Sequence, residues 1–159
     1  MPYYVRAFCK SAGIPALNLV FDSINNKGYP FTLRIVENTL EGDLINWKSF
    51  EMNYKEGKGP IIVEFNVVDD EDGLAKEEIE EFLDRIGSAG FSLRKRKVIH
   101  HLKQTKYLIC NQLLSDIDND GYDANGEFMN YFVQHCEGMQ QADGEGFYDS
   151  NMNLILDDK

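Results

Sequence analysis

An α+β fold, with helices on one face of a mixed, largely antiparallel sheet, is the class this sequence predicts, and three observations point to it. Short runs alternate apolar and polar residues, longer segments repeat apolar residues at i, i+3, i+4 and i+7, and Gly, Pro, Asn and Asp clusters separate them. In chain order the elements read β-α-β-β-β-α and then α-β-α-β-β, the layout of a split-βαβ, ferredoxin-like arrangement. At 159 residues and 43% hydrophobic content the chain can bury one sizeable core. A single domain over 1–159 is expected, with two halves, 1–87 and 94–159, sharing that core.

Residues 3–9 have strand period, with Tyr3, Val5, Ala7 and Cys9 on one side and Tyr4, Arg6 and Phe8 on the other. Pro15 suits a first helical turn, and Leu17, Val20, Phe21 and Ile24 form the apolar stripe of a helix that closes at Lys27-Gly28. Phe31, Leu33 and Ile35 predict another strand, Asn38 to Trp47 a loop, and Trp47 an anchor in the core or at its rim. Phe50, Met52 and Tyr54, then Ile61 to Val68, predict a hairpin whose turn is Glu56-Gly-Lys-Gly-Pro60; no strand-to-helix glycine fingerprint makes that turn a phosphate cradle. Asp69 to Asp72 lead into a helix with Ile79, Phe82, Leu83 and Ile86 on one side and Gly87 as its stop.

Residues 88–93 read as the joint between the halves. Arg94-Lys-Arg-Lys97, the one basic cluster, opens a short helix carrying Val98, Ile99 and Leu102, its charges paired with acidic surface elsewhere. His100 and His101 point about 100° apart on a helix, which argues against a shared zinc ion and for one exposed and one partly buried ring. Lys106 to Leu114 predicts a buried strand, residues 124–137 a helix with Phe128, Tyr131, Phe132 and Cys136 on its apolar side, and Met139 to Ala142, Phe147-Tyr148 and Leu154 to Leu156 the last extended pieces. The final residues, Asp157 to Lys159, are expected to fray.

A formal net charge of −11 disfavours phosphate-backbone binding and favours a protein partner with a basic surface. Three cysteines, Cys9, Cys110 and Cys136, lie in apolar-patterned segments and read as reduced thiols in a cytoplasmic setting. No apolar stretch approaches the roughly 18 residues of a membrane span, and the charged N-terminal run is not an export signal.

The segment with the most specific chemistry is Asp116 to Glu127. Asp116, Asp118 and Asp120 occupy positions 1, 3 and 5 of a calcium loop, Gly121 the turn at position 6, the Tyr122 carbonyl position 7 and Glu127 the bidentate position 12. The loop and its exit resemble an EF-hand; the incoming segment reads as extended, and position 8 is Asp123. The competing reading is a plain strand-to-helix connection with Asp123 capping a helix that starts at Ala124. No cofactor is required, and calcium is the candidate ligand. If strands 106–114 and 139–142 are parallel, their carboxyl ends share an edge that gathers these aspartates with Asp143 and Glu145, an acidic interaction edge with Asp123 beside it.

Ile109-Cys110, the helix 124–137 and Ala142-Asp-Gly-Glu-Gly-Phe-Tyr148 resemble the carboxyl-terminal strand, helix and Asp-Gly-x-Gly-x-Tyr strand of the small acidic regulators that inhibit ribonuclease E, over residues 106–149. That resemblance implies an intracellular protein that acts by binding an enzyme. The functional expectation is a non-enzymatic regulatory or adaptor module; the alternative is calcium binding through 116–127. A hydrolase using Asp143 and Glu145 ranks third, because no companion nucleophile accompanies them and Cys136 lies on an apolar stripe beside a diverging His135.

Overall fold

The computed structural model describes residues 3–69 and 73–158. The acidic run at 70–72, Pro2 and Lys159 therefore lie outside the described residues. In chain order the elements are β1 (Tyr3–Cys9), α1 (Leu17–Asn25), β2 (Arg34–Ile35), β3 (Glu41–Gly42), β4 (Trp47–Asn53), β5 (Ile61–Val67), α2 (Leu74–Ile86), α3 (Leu93–Gln104), β6 (Tyr107–Leu113), α4 (Asn119–His135), β7 (Gly138–Ala142), β8 (Gly146–Tyr148) and β9 (Leu154–Asp157).

The strands form one sheet in the order β2-β4-β5-β6-β1-β7-β8-β9, with β3 on β4, and every pairing among the described residues is antiparallel. The α+β class holds, but helices cover both faces of the sheet rather than one. Alternation within the central strands explains this correction. Ala7 and Ile109 face one side, Phe8 and Leu108 the other, and all four are fully buried. Burying a large apolar side chain is worth about 1.5–3 kcal/mol, so both sides of these strands favour a cover. Leu17, Val20, Phe21 and Ile24 of α1 join Phe128 and Phe132 of α4 over the first face, around Trp47 and Phe50. Ala75, Ile79 and Phe82 of α2 join Val98 and Leu102 of α3 over Phe8, Leu108, Met139 and Phe147 on the second.

The two halves interleave. β5 pairs with β6 across them, and β1 lies between β6 and β7, antiparallel to both. β6 and β7 are therefore parallel, separated by β1 and joined by α4. Leu113 pairs with Tyr3 and Ala142 with Val5, so both strands end at the same side of the sheet.

Local chemistry accounts for the element boundaries. α2 ends at Gly87, whose φ of 72° a residue with a side chain rarely adopts. α3 starts after Ser92, whose hydroxyl accepts from the Lys95 N–H at 3.2 Å. The strand expected over Phe31–Ile35 is reduced to two residues, because Asn25 takes both backbone groups of Leu33: its Nδ2 donates to the carbonyl at 2.9 Å and its Oδ1 accepts from the N–H at 2.8 Å. Trp47 is a core anchor, and its indole N–H donates to Pro15 O at 3.2 Å. No helix among the described residues is long and apolar enough to cross a membrane.

Candidate functional site

The end of the sheet where β6 and β7 finish carries the residues that the sequence singled out. α4 begins at Asn119, inside the segment read as a calcium loop and ahead of the expected start at Ala124. Asp118, not Asp123, caps it, with Oδ1 accepting from the Gly121 N–H at 3.0 Å. Gly121 is thus a helical residue, not a turn. A Cβ there would come within 2.4 Å of the Ile117 side chain and 2.6 Å of the Tyr54 ring, so glycine is required by the phenol packed against the helix.

The five candidate metal ligands are dispersed by this helix. Asp116 Oδ2 accepts from the Gly59 N–H at 2.8 Å, and Lys58 Nζ donates to the Asp116 carbonyl at 3.0 Å. Lys55 Nζ lies 3.0 Å from Asp118 Oδ2 and 3.3 Å from Asp120 Oδ2. The hydrogen bond from Lys55, with that from the Gly121 N–H, holds the Asp118 carboxyl below the usual range, and Asp118 raises the Lys55 ammonium in return. Glu127 follows Asp120 by seven residues of helix, about 10 Å along the axis, where it accepts from the Tyr29 hydroxyl and lies 3.6 Å from Lys27 Nζ. The Tyr122 carbonyl belongs to the helix between them. Among the described residues no three His, Cys, Asp or Glu side chains converge on a point that could hold a metal ion. The geometry of an EF-hand loop is not formed, and the residues present do not fit calcium at 116–127.

The neighbouring part of this end is organised by Arg6, which the sequence places beside Tyr4 and Phe8 on one side of β1 without marking it as a site residue. Its guanidinium, 9% exposed as a residue, lies 2.8 Å from Asp143 Oδ1, 2.8 Å from Gln141 Oε1 and 3.3 Å from Glu78 Oε2, over the rings of Phe82 and Tyr4. Glu145 has both oxygens engaged, by the hydroxyls of Tyr3 and Tyr148. That bond pushes the Tyr148 phenol up to about 12, and burial with the same carboxylate raises Tyr3 further, so both remain donors at neutral pH. The carboxylates weighed as a hydrolytic pair are thus each committed to different internal donors. The acids of this end are engaged within the fold by Lys55, Lys58, Arg6 and two tyrosines; Asp123 stays exposed.

The outer faces of α2 and α3 are different. With about 100° per residue, Glu77, Glu80, Glu81 and Asp84 fall opposite the buried Ala75, Ile79 and Phe82, and all four are exposed. On α3, Arg96, Lys97, His100 and Lys103 fall opposite Val98 and Leu102, and all four are exposed. None of the ion pairs among the described residues involves either set. No ion pair found among the described residues involves Arg94 to Lys97, although the Asn153 N–H and, more weakly, Lys97 hold the Asp149 carboxyl below its usual range; Arg96 donates to Gly90 O at 2.9 Å. Phe91, in the link between the helices, is 100% exposed and Leu93 76%. The acidic stripe was readable as the i, i+3, i+4, i+7 complement of the apolar stripe at 79, 82, 83 and 86.

The remaining candidates are structural. His100 is exposed and His101 buried, its Nε2–H donating to Phe8 O at 2.7 Å. All three cysteines are free; Cys9 and Cys136 are buried, and burial pushes the half-buried Cys110 thiol up to about 12, which makes it a poor nucleophile.

The fold and this surface define an α+β protein with a two-signed helical face laid over its sheet. The chain matches no family model, and no curated protein and no solved structure matches it.

Proposed function

We propose that the protein is a non-enzymatic regulatory or adaptor module, and that the outer face of α2 docks a partner protein bearing a basic surface. One observation carries this reading: Glu77, Glu80, Glu81 and Asp84 are exposed and lack ion-pair partners among the described residues, whereas the carboxylates of the sheet end are compensated internally. Uncompensated charge of one sign on a rigid helix steers encounter with the opposite sign. The likeness of residues 106–149 to ribonuclease E inhibitors supports the same class, a small acidic protein that binds an enzyme. Three free cysteines fit a reducing, cytoplasmic setting. The order β5-β6-β1-β7, with α1 and α4 over one face, supports reading the core as split-βαβ and ferredoxin-like, with α2 and α3 inserted between β5 and β6.

The test is capture from the native cell with the wild-type chain and with Glu77→Gln, Glu80→Gln, Glu81→Gln and Asp84→Asn combined. A specific partner should be captured by the first and lost by the second, and its association rate should fall as salt rises. A partner captured equally by both, with a salt-independent rate, would remove α2 as the docking surface.

A further inference from the structure

The acidic stripe of α2 does not stand alone. α2 and α3 pack on each other and on the same face of the sheet, and their charged stripes both point away from it. The exposed surface of the pair is divided lengthwise into an acidic half, Glu77, Glu80, Glu81 and Asp84, and a basic half, Arg96, Lys97, His100 and Lys103. A surface so divided is its own electrostatic complement. We infer that a second copy of this chain docks here with two-fold symmetry, α2 of each copy lying on α3 of the other; this rests on reading the α2 face as a protein-docking surface.

The charge pattern selects the symmetry axis. A two-fold axis running along the helix pair places acidic on basic twice, as an isologous interface requires, whereas an axis across the pair would place like on like. The same axis carries residues 87–92 of both copies to the same end. Phe91 and Leu93 of one copy then meet those of the other, which covers the two most exposed apolar side chains described.

The small size argues for a weak contact. Helices of 13 and 12 residues are about 18–20 Å long. Two of them about 9 Å apart offer on the order of 400 Å2 per copy, at the low end for specific interfaces. The dimer is therefore expected to be transient. Two chains of net charge −11 also repel at long range. Salt near 0.1 M screens that repulsion beyond about 10 Å, while high salt weakens the contact pairs, so association peaks at intermediate salt.

Sedimentation of the full chain across concentration and salt tests this, with two charge-reversed variants that circular dichroism shows to be folded. Glu77→Lys, Glu80→Lys and Glu81→Lys combined turn the acidic half basic, and Arg96→Glu with Lys103→Glu turns the basic half acidic. Each variant alone should be monomeric, its dissociation constant raised about 100-fold or more. Mixed in equal amounts, they should form a dimer containing one copy of each. A wild-type chain that stays monomeric to about 1 mM, variants that dimerise as the wild type does, or a mixture that stays monomeric would overturn the proposal. If a cellular partner is still captured through α2 by a monomeric chain, self-association falls and the α2 docking reading stands. If the chain dimerises as described but the neutralised α2 stripe still captures that partner, the partner-docking reading falls instead.

Discussion

Two regions of this molecule carry charge in opposite ways. At the sheet end, Asp116, Asp118, Asp120, Asp143 and Glu145 are bonded to Lys55, Arg6, backbone N–H groups and tyrosine hydroxyls, and the charge is part of the fold. On the outer faces of α2 and α3, charges of both signs point into solvent without ion-pair partners among the described residues. Charge that a sequence contains is therefore not charge that a surface presents. The density of acids drew attention to 116–127, but four acids presented together on one exposed face lie on a helix that carries no motif.

The sharpest way to break the comparison is Arg6→Ala. It would leave Asp143 and Glu78 without their shared cation at a site where the guanidinium side chain is 11% exposed and the carboxylate side chains 39% and 28%. Losing one partner of a buried pair costs about 3–5 kcal/mol, and the partly wet carboxylates reduce this to about 2–4 kcal/mol. Urea unfolding measures it. A loss under about 1 kcal/mol would mean that the sheet end is no more structural than the helix face.

Gly121→Ala comes next and separates packing from turn geometry. Alanine favours a helix over glycine by about 1 kcal/mol, yet the new Cβ would meet Tyr54 and Ile117, so a net loss of about 1–3 kcal/mol is expected. A calcium titration checks the same segment. With its candidate ligands spread from Asp116, ahead of α4, to Glu127 within it, no thermal shift is expected at millimolar calcium, whereas a formed loop at about 100 times its dissociation constant would add roughly 2.7 kcal/mol. A shift abolished by Glu127→Gln would restore the calcium reading.

His101 supplies a pH test of the buried side. Burial lowers its pKa, with Lys10 and His100 acting the same way and the Phe8 carbonyl and Glu137 opposing. The unfolded chain takes up the proton near pH 6.5 and the folded chain only below that. Stability is therefore full above about pH 6.5 and declines as pH falls through the window beneath it. Denaturant midpoints from pH 7.5 to 5 should show this decline, and His101→Gln should flatten it. A midpoint that rises on acidification would contradict the neutral buried ring.

What was legible in the sequence was what neighbouring residues determine. The stripe at 17, 20, 21 and 24, the stop at Gly87 and the divergence of His100 from His101 follow from helical period and local φ, and they appear as read. What was not legible depends on partners far along the chain. Asn25 replaces the ladder of Leu33, Tyr54 makes Gly121 a packing residue, and Phe82 with Phe147 determines that the face of β1 bearing Phe8 is covered. Gly, Asp and Asn are turn formers in isolation. In 116–127 the cap at Asp118 and the Tyr54 ring override that propensity, so the segment with the strongest local motif was the one most changed by tertiary structure.

The smallest expected effect lies on α2 and sharpens the comparison most. On α2, Glu77 and Glu81, and Glu80 and Asp84, are like-charged i, i+4 pairs, each destabilising a helix by about 0.2–0.5 kcal/mol. Lys76 with Glu80 and Glu81 with Arg85 are opposite-charged i, i+4 pairs of similar size, so neutralising all four should leave the stability of the isolated chain unchanged within about 0.5 kcal/mol. The sheet-end substitutions must lower it. Carboxylates that contribute little to the fold are free to act on something outside the chain, which is the expectation that capture experiments address from the other side. If neutralisation instead costs more than that in urea unfolding, these carboxylates have partners within the fold, and the contrast between the two regions disappears.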